Sequence, residues 1–286
     1  MQMMNFKHIA LLAVAGLLFI PGARAQSILG STGSYAVMAG GTVTINGLAT
    51  TINGDLGAIG TIAGPGSNYT VTGGSHVTTT SQNQTDFTRA FTGLDAMTPT
   101  ADLSGMILGT TAGAVILSPG VYTFTSTAQL TGTLTLDAQH QTNATWVFQV
   151  GSTFTTAADA TVTFINTTGD SVANYGLFWQ IGSTVVTGAN TALQGNLLAG
   201  TTINFGAGTT ISHGRAMTGS NTITLDNNAI DHILANSGYS GGLTYLDGGN
   251  TIVAIPEPAT YALFAGVLTL AVAVIRRRAA GTAPGA

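Results

Sequence analysis

The chain has 286 residues, of which 44% are hydrophobic and only 6% charged, and it contains no cysteine. Without cysteine there are no disulfides, no thiolate nucleophile and no thiolate metal site. Between Gln26 and Ile255 the only lysine or arginine residues are Arg89 and Arg215, against ten aspartates and no glutamate, a formal balance of −8, which argues against a nucleic-acid partner because phosphate neutralisation needs clustered Lys and Arg.

Met1 to Ala25 reads as a secretory signal peptide: Lys7 and His8, an apolar run from Ile9 to Ile20, then the small-residue site Ala23-Arg24-Ala25. The mature domain is expected over residues 26–235. Between Gln26 and Ile255 there are 45 threonines, about a fifth of that segment, and with many glycines and Asn/Asp residues they point to short strands joined by tight turns. One stretch departs from this. From Gln82 to Met97 the apolar residues Phe87, Ala90, Phe91, Leu94 and Met97 fall at helical spacing, with Asp86 expected in the first turn and Pro99 beyond the end, which predicts one amphipathic helix packed along the strands.

The second half contains a repeat. Val147-Phe148-Gln149-Val150-Gly151-Ser152-Thr153, Leu177-Phe178-Trp179-Gln180-Ile181-Gly182-Ser183-Thr184, Leu197-Leu198-Ala199-Gly200-Thr201-Thr202 and Ala216-Met217-Thr218-Gly219-Ser220-Asn221 each run an apolar strand into a glycine turn. The steps from Gly182 to Gly200 and from Gly200 to Gly219 are nearly equal, and their length suits one solenoid coil of three short strands. The step from Gly151 to Gly182 is longer, and the excess is read as an inserted loop over Asn166 to Tyr175. After each glycine, Phe154, Val185 and Ile203 are expected to point inward, flanked by outward Thr153 and Thr155, Thr184 and Val186, Thr202 and Asn204, because side chains alternate along a strand. Residues 236–255, rich in Gly, Ser and Asn, are read as a linker. At the end, Thr260 to Ile275 is an uncharged run followed by Arg276, Arg277 and Arg278. As a helix it would reach about 24 Å, short of the roughly 30 Å hydrocarbon core, so it is expected to form at most a thin membrane anchor.

Catalytic chemistry is not expected. His76, His140, His213 and His232 lack the spacing of a metal site. Asp231 and His232 are neighbours in a strand and should face opposite sides. No Gly-Lys-Ser/Thr follows the glycines, and Asp226-Asn227-Asn228 reads as a turn rather than a calcium loop. Trp146 and Trp179, set in apolar strands, are expected to fill the core.

Asn53-Gly54-Asp55-Leu56-Gly57, Leu117-Ser118-Pro119-Gly120-Val121-Tyr122, Leu130-Thr131-Gly132-Thr133-Leu134-Thr135-Leu136-Asp137-Ala138, the segments around Gln149 and Gln180, Gly214-Arg215-Ala216 and Thr224-Leu225-Asp226-Asn227-Asn228 resemble, in order over about residues 28–231, the ice-binding-like domain family. The resemblance implies an all-β fold with one long helix: a right-handed, discontinuous β-solenoid of triangular section, the helix flanking it at about residues 82–97. It also implies an extracellular ice contact, without cofactor or metal, through a flat Thr-rich face. On that reading the candidates are Thr153, Thr155, Thr184, Thr187, Asn190, Thr202 and Asn204. Thr187 and Asn190 enter because Thr187-Gly188-Ala189-Asn190 fits a four-residue pattern of the family: Thr, a small residue, any residue, then Thr or Asn. The equivalent Thr156-Ala157-Ala158-Asp159, Phe205-Gly206-Ala207-Gly208 and Leu225-Asp226-Asn227-Asn228 depart from it. Separately, Pro256-Glu257-Pro258 ahead of the apolar run and arginines resembles a PEP-CTERM sorting tail over 256–286, which implies processing by an exosortase, transient membrane anchoring through residues 260–275 and delivery to the cell envelope, surface or matrix. The alternative function is a structural or adhesive matrix protein whose partner is exopolysaccharide.

Overall fold

The computed structural model describes residues 27–168, 175–232, 242–246 and 249–254, together with positions 270, 271 and 274. The expected signal peptide, the sorting motif at 256–258, all but three positions of the tail and residues 169–174 of the expected inserted loop lie outside the described residues. Among the described residues no helix is long and apolar enough to cross a membrane.

Threonine, valine and isoleucine favour extended backbone because their branched Cβ fits a pleated surface. One coil shows the plan. Strands Thr145–Val150, Phe154–Thr156 and Thr161–Ile165 follow one another, and each pairs in parallel with its counterpart one coil on: Val150 lies beside Ile181, Phe154 beside Val185 and Thr161 beside Ala192. We name the three stacks faces a, b and c in that order. Faces c and a are continuous where Ala192–Ala199 and Thr210–Thr218 serve both. The first of these strands bends at Gly195 (φ +84°), where a side chain would strike Leu177, its Cβ only 2.5 Å from Cγ.

The coils are not stacked in chain order. Along face b the strands run Ile62–Ala63, Val43–Ile45, Ile223–Leu225, Ile203–Asn204, Val185–Val186, Phe154–Thr156, Ala128–Leu130, Ile107–Leu108. The first coil therefore abuts the last: Val37 pairs with Ala216, Thr44 with Thr224 and Ile52 with Ile230. Helix α1 (Ser81–Asp95) then returns the chain along face a to the far end, a run of about 22 Å at 1.5 Å per residue.

The helix starts one residue before the expected boundary and stops two before it, so Asp86 sits in the second turn. There it accepts a hydrogen bond from the Ser31 backbone N–H at 2.8 Å. The helix begins with Thr80 and Asn83 in a reciprocal cap, each side chain accepting from the other's backbone N–H. At its other end the Gln149 amide, pointing outward from face a, donates to the carbonyls of Leu94, Asp95 and Met97 at 2.7, 3.1 and 2.8 Å, at and just beyond a terminus where carbonyls lack their full set of intrahelical donors. Phe87, Ala90 and Leu94 pack on Met38, Met217, Leu198, Phe178 and Val147 of face a, forming a second apolar cluster outside the coil. Within the coil the inward rows form the main core. Trp146 and Trp179 are fully buried there, their indole N–H groups donating to the carbonyls of Leu117 and Gln194 at 3.0 Å. Tyr122, Phe148 and Trp179 stack ring on ring in successive coils at 5.5 and 4.2 Å.

The linker expected over 236–255 is corrected in its described part. Leu243–Tyr245 and Ile252–Ala254 pair antiparallel, with Leu243 and Ile252 buried in the helix cluster. The Arg89 guanidinium lies 3.8 Å above the Tyr245 ring, and the Tyr245 hydroxyl donates to the Ile28 carbonyl at 2.8 Å. Apolar residues at alternate positions outweigh the surrounding Gly, Ser and Asn because the helix offers them an apolar surface.

Candidate functional site

Face b is built from strands of two or three residues, yet its pairing is regular. Val43, Ile223, Ile203, Val185, Phe154 and Ala128 point inward and are at most 1% exposed. The residue before each is threonine: Thr42, Thr222, Thr202, Thr184, Thr153 and Thr127, with Thr61 ahead of Ile62 at one end. Each inward N–H donates to the carbonyl of the next coil's threonine. Val43 bonds Thr61, Ile223 bonds Thr42, Ile203 bonds Thr222, Val185 bonds Thr202, Phe154 bonds Thr184 and Ala128 bonds Thr153, all at 2.9 to 3.0 Å. Seven threonines thus stand in one unbroken row, about 28 Å long at a strand spacing of roughly 4.7 Å.

Two residues further on, a parallel row faces outward: Ala63, Thr44, Thr224, Asn204, Val186, Thr155, Gln129 and Ile107. Of the sequence candidates, Thr153, Thr184 and Thr202 lie in the first row. Thr155 and Asn204 lie in the second, separated by Val186. The face is therefore a threonine ladder beside a mixed strip.

Thr187 and Asn190 are placed elsewhere. With Val185 inward and Val186 outward, alternation turns Thr187 into the interior, where it is 6% exposed. Its hydroxyl lies 2.8 Å from that of Thr209 and accepts from the Gly206 N–H at 2.9 Å. Thr156, one coil away, is bonded in the same manner to Thr191. Asn190 occupies the left-handed region (φ +55°) at the corner between faces b and c, as Asp159 does (φ +58°), and its amide donates to the Asp159 carboxylate at 3.3 Å. Only Gly and the short polar residues enter this region readily. Both ends of the four-residue pattern thus have corner-building roles, and Thr187, named as a contact candidate from that pattern, is corrected to a position inside the corner.

The ladder is held rigidly. Apart from the edge strand Ile62–Ala63, its strands are paired on both sides, and β-branching restricts χ1. At the preceding corner, glycines stack too closely for any side chain: a Cβ on Gly200 would lie 2.4 Å from the Gly182 carbonyl oxygen. Hydroxyls also meet one another, as Thr184 does Thr201 at 3.2 Å. Each ladder threonine offers a methyl group and a hydroxyl that can both donate and accept.

The acid and histidine pair singled out in the sequence diverges. Asp231 is exposed and accepts from the Asn53 amide at 2.7 Å, whereas the adjacent His232 is buried. Burial, and next the Arg215 guanidinium, lower the His232 pKa to about 4, against smaller opposing effects of the Gly33 backbone and Asp55. Among the described residues no three His, Asp or Glu side chains cluster as a metal site.

Four ladder members, Thr42, Thr61, Thr127 and Thr222, are not among the sequence candidates. Their signal is present: Thr42-Val43-Thr44-Ile45, Thr222-Ile223-Thr224-Leu225 and Thr127-Ala128-Gln129-Leu130 repeat the alternation of Thr153-Phe154-Thr155-Thr156. The glycine-anchored repeat, which starts at Val147, does not reach the first coil.

A protein-family model described as Ice-binding-like matches residues 32–231. A protein named ice-binding protein from Nostoc sp. (strain HG1) is 35% identical over 238 residues, covering 81% of this chain and 85% of that one. Among solved structures, an ice binding protein from an Antarctic biological consortium is 31% identical with a TM-score of 0.63, covering 72% of this chain and 90% of that one. An ice-binding protein from the Antarctic ascomycete Antarctomyces psychrotrophicus is 28% identical with the same TM-score, covering 72% and 98%. In fold, and in sequence over residues 32–231, this chain belongs to the ice-binding-like family.

Proposed function

We propose that this protein binds ice outside the cell through face b, and that the threonine ladder is the principal contact. The unbroken row of seven threonines carries the reading. A rigid row of methyl and hydroxyl groups at fixed spacing can order the adjoining water without a mobile loop having to be fixed first. Face c supports the choice by contrast. Its row Thr133, Thr161, Ala192, Thr210, Ala229, Thr51, Thr70 is interrupted twice by alanine, and the Asp231 carboxylate stands exposed beside it. In the second row of face b, Thr155 and Asn204 add polar contacts to the ladder. The names of the relatives agree with an ice ligand.

Export by residues 1–25 and sorting through Pro256-Glu257-Pro258 and the apolar run 260–275, with exosortase processing, complete the proposal and would deliver the protein to the cell envelope or surface. The test is inhibition of ice recrystallisation by the purified chain beside Thr184→Tyr and Thr202→Tyr. Each ring would stand above the plane of the ladder and prevent close approach, so activity should be lost with the melting temperature little changed. Full activity in both folded variants would remove face b as the contact.

A further inference from the structure

We infer that the protein binds ice while held at its C-terminal end, with the ladder turned away from the point of attachment. The inference rests on the ice-contact reading of face b and adds the direction in which that face is presented.

Both ends of the folded body gather on the side covered by the helix. The antiparallel pair of Leu243–Tyr245 and Ile252–Ala254 packs there, and through Tyr245 it holds the carbonyl of Ile28, close behind the expected cleavage site. Arg89 of the helix fastens the connection between the two strands, bonding Asn250 through Nε at 3.1 Å and the Gly249 carbonyl through Nη2. Ala254 then lines a shallow depression with Met97, Thr100, Val121, Thr145 and Val147. Thr145 opens its face-a strand, which runs to Val150 before the glycine corner and the ladder. At about 3.3 Å per residue that strand alone separates exit and corner by roughly 17 Å. Among the described residues no ladder threonine takes part in these terminal contacts. Beyond Ala254 the sequence continues to Ala286, through the uncharged run and the three arginines. Whatever holds that extension, membrane or matrix, pulls on the helix side and leaves face b unobstructed.

The absence of cysteine makes the test clean. Single-cysteine variants of the full chain, Ala254→Cys at the exit and Ser126→Cys beside the ladder, are coupled by short maleimide linkers to micrometre beads. Adhesion of the beads to a growing ice surface is then counted. Beads coupled at 254 should adhere roughly tenfold more than beads coupled at 126, because attachment beside the ladder forbids the face from meeting the ice. Equal adhesion, or more through position 126, overturns the inference while leaving the ice contact intact. If the unmodified chain fails to inhibit recrystallisation in solution, the ice-contact reading fails and the inference falls with it.

Discussion

Thr184 and Thr187 lie one short strand apart and face opposite ways. Thr184 stands in the ladder with its carbonyl bonded to the next coil, whereas Thr187 closes a hydroxyl pair with Thr209 inside the corner. Alternation is enough to place Thr153, Thr184 and Thr202 from sequence. Thr187 and Asn190 come instead from a short pattern, and such a pattern does not say whether it serves the face or the turn beneath it. His232 makes a separate point at this scale. Folded, it takes a proton only near pH 4, because burial and Arg215 oppose the charge; unfolded, it does so near its ordinary value of about 6.5. Between those limits the unfolded chain binds more protons, so stability falls as pH is lowered from about 6.5 to about 4. Asp86, Asp102 and Asp137, whose carboxyl pKa values are lowered, act below this window. The melting temperature should therefore drop by several degrees between pH 7 and 4.5, and His232→Gln should flatten that slope. An equally steep slope in the variant would assign it to other groups.

Helix α1 is legible in the sequence to within two residues at each end because the 3.6-residue period of Phe87, Ala90, Phe91 and Leu94 is a local property. The hairpin after it is not. Its strands, Leu243–Tyr245 and Ile252–Ala254, are short and flanked by Gly, Ser and Asn, and their partner is the helix at Ser81–Asp95, far earlier in the chain. Leu243 and Ile252 are apolar for a surface that the local sequence does not reveal. The element should behave as a clasp, separable from the coils. Ile252 packs against Gly93, where even an added Cβ would lie 2.7 Å from its Cδ1, so its contact with the helix is close. Ile252→Ala should cost about 2–4 kcal/mol of local stability. Amide hydrogen exchange is the measurement. Protection should fall at Leu246, whose N–H donates to the Thr251 carbonyl at 2.8 Å, while the amides of Val185 and Ile203 stay protected. Uniform loss across the coils would make the hairpin part of a single cooperative unit with them.

At the scale of the whole molecule, the nearly even spacing of Gly182, Gly200 and Gly219 announces coils but does not say which coil touches which. A discontinuous solenoid is implied by family resemblance alone, and the pairings give it a physical cost. Hydrogen bonds such as Gly40 N–H to the Thr218 carbonyl and Asn46 N–H to the Leu225 carbonyl join opposite ends of the domain sequence, so the first coil cannot complete its pairing until the last exists. Contacts this distant slow folding and place the N-terminal coils at the mercy of the C-terminal one. A chain ending at residue 200 keeps the strands Thr145–Val150 and Gly176–Ile181 but loses Thr210–Thr218, Ile223–Leu225 and Ala229–Asp231, the partners of the first coil on all three faces. Limited proteolysis should then cut within residues 35–63 while sparing the strands at 120–165 and 176–181, the reverse of what simple distance from the truncation would suggest. If residues 35–63 stayed resistant, the first coil would be stable on its neighbour Ile62–Ala63 and the helix alone. The same dependence bears on the ladder. Thr42 and Thr61 join the row only through Val43–Ile45 pairing with Ile223–Leu225, so the truncated chain would keep only Thr127, Thr153 and Thr184 in register. A contact that needs the full length of the row would be lost with the closure of the solenoid rather than with any single side chain.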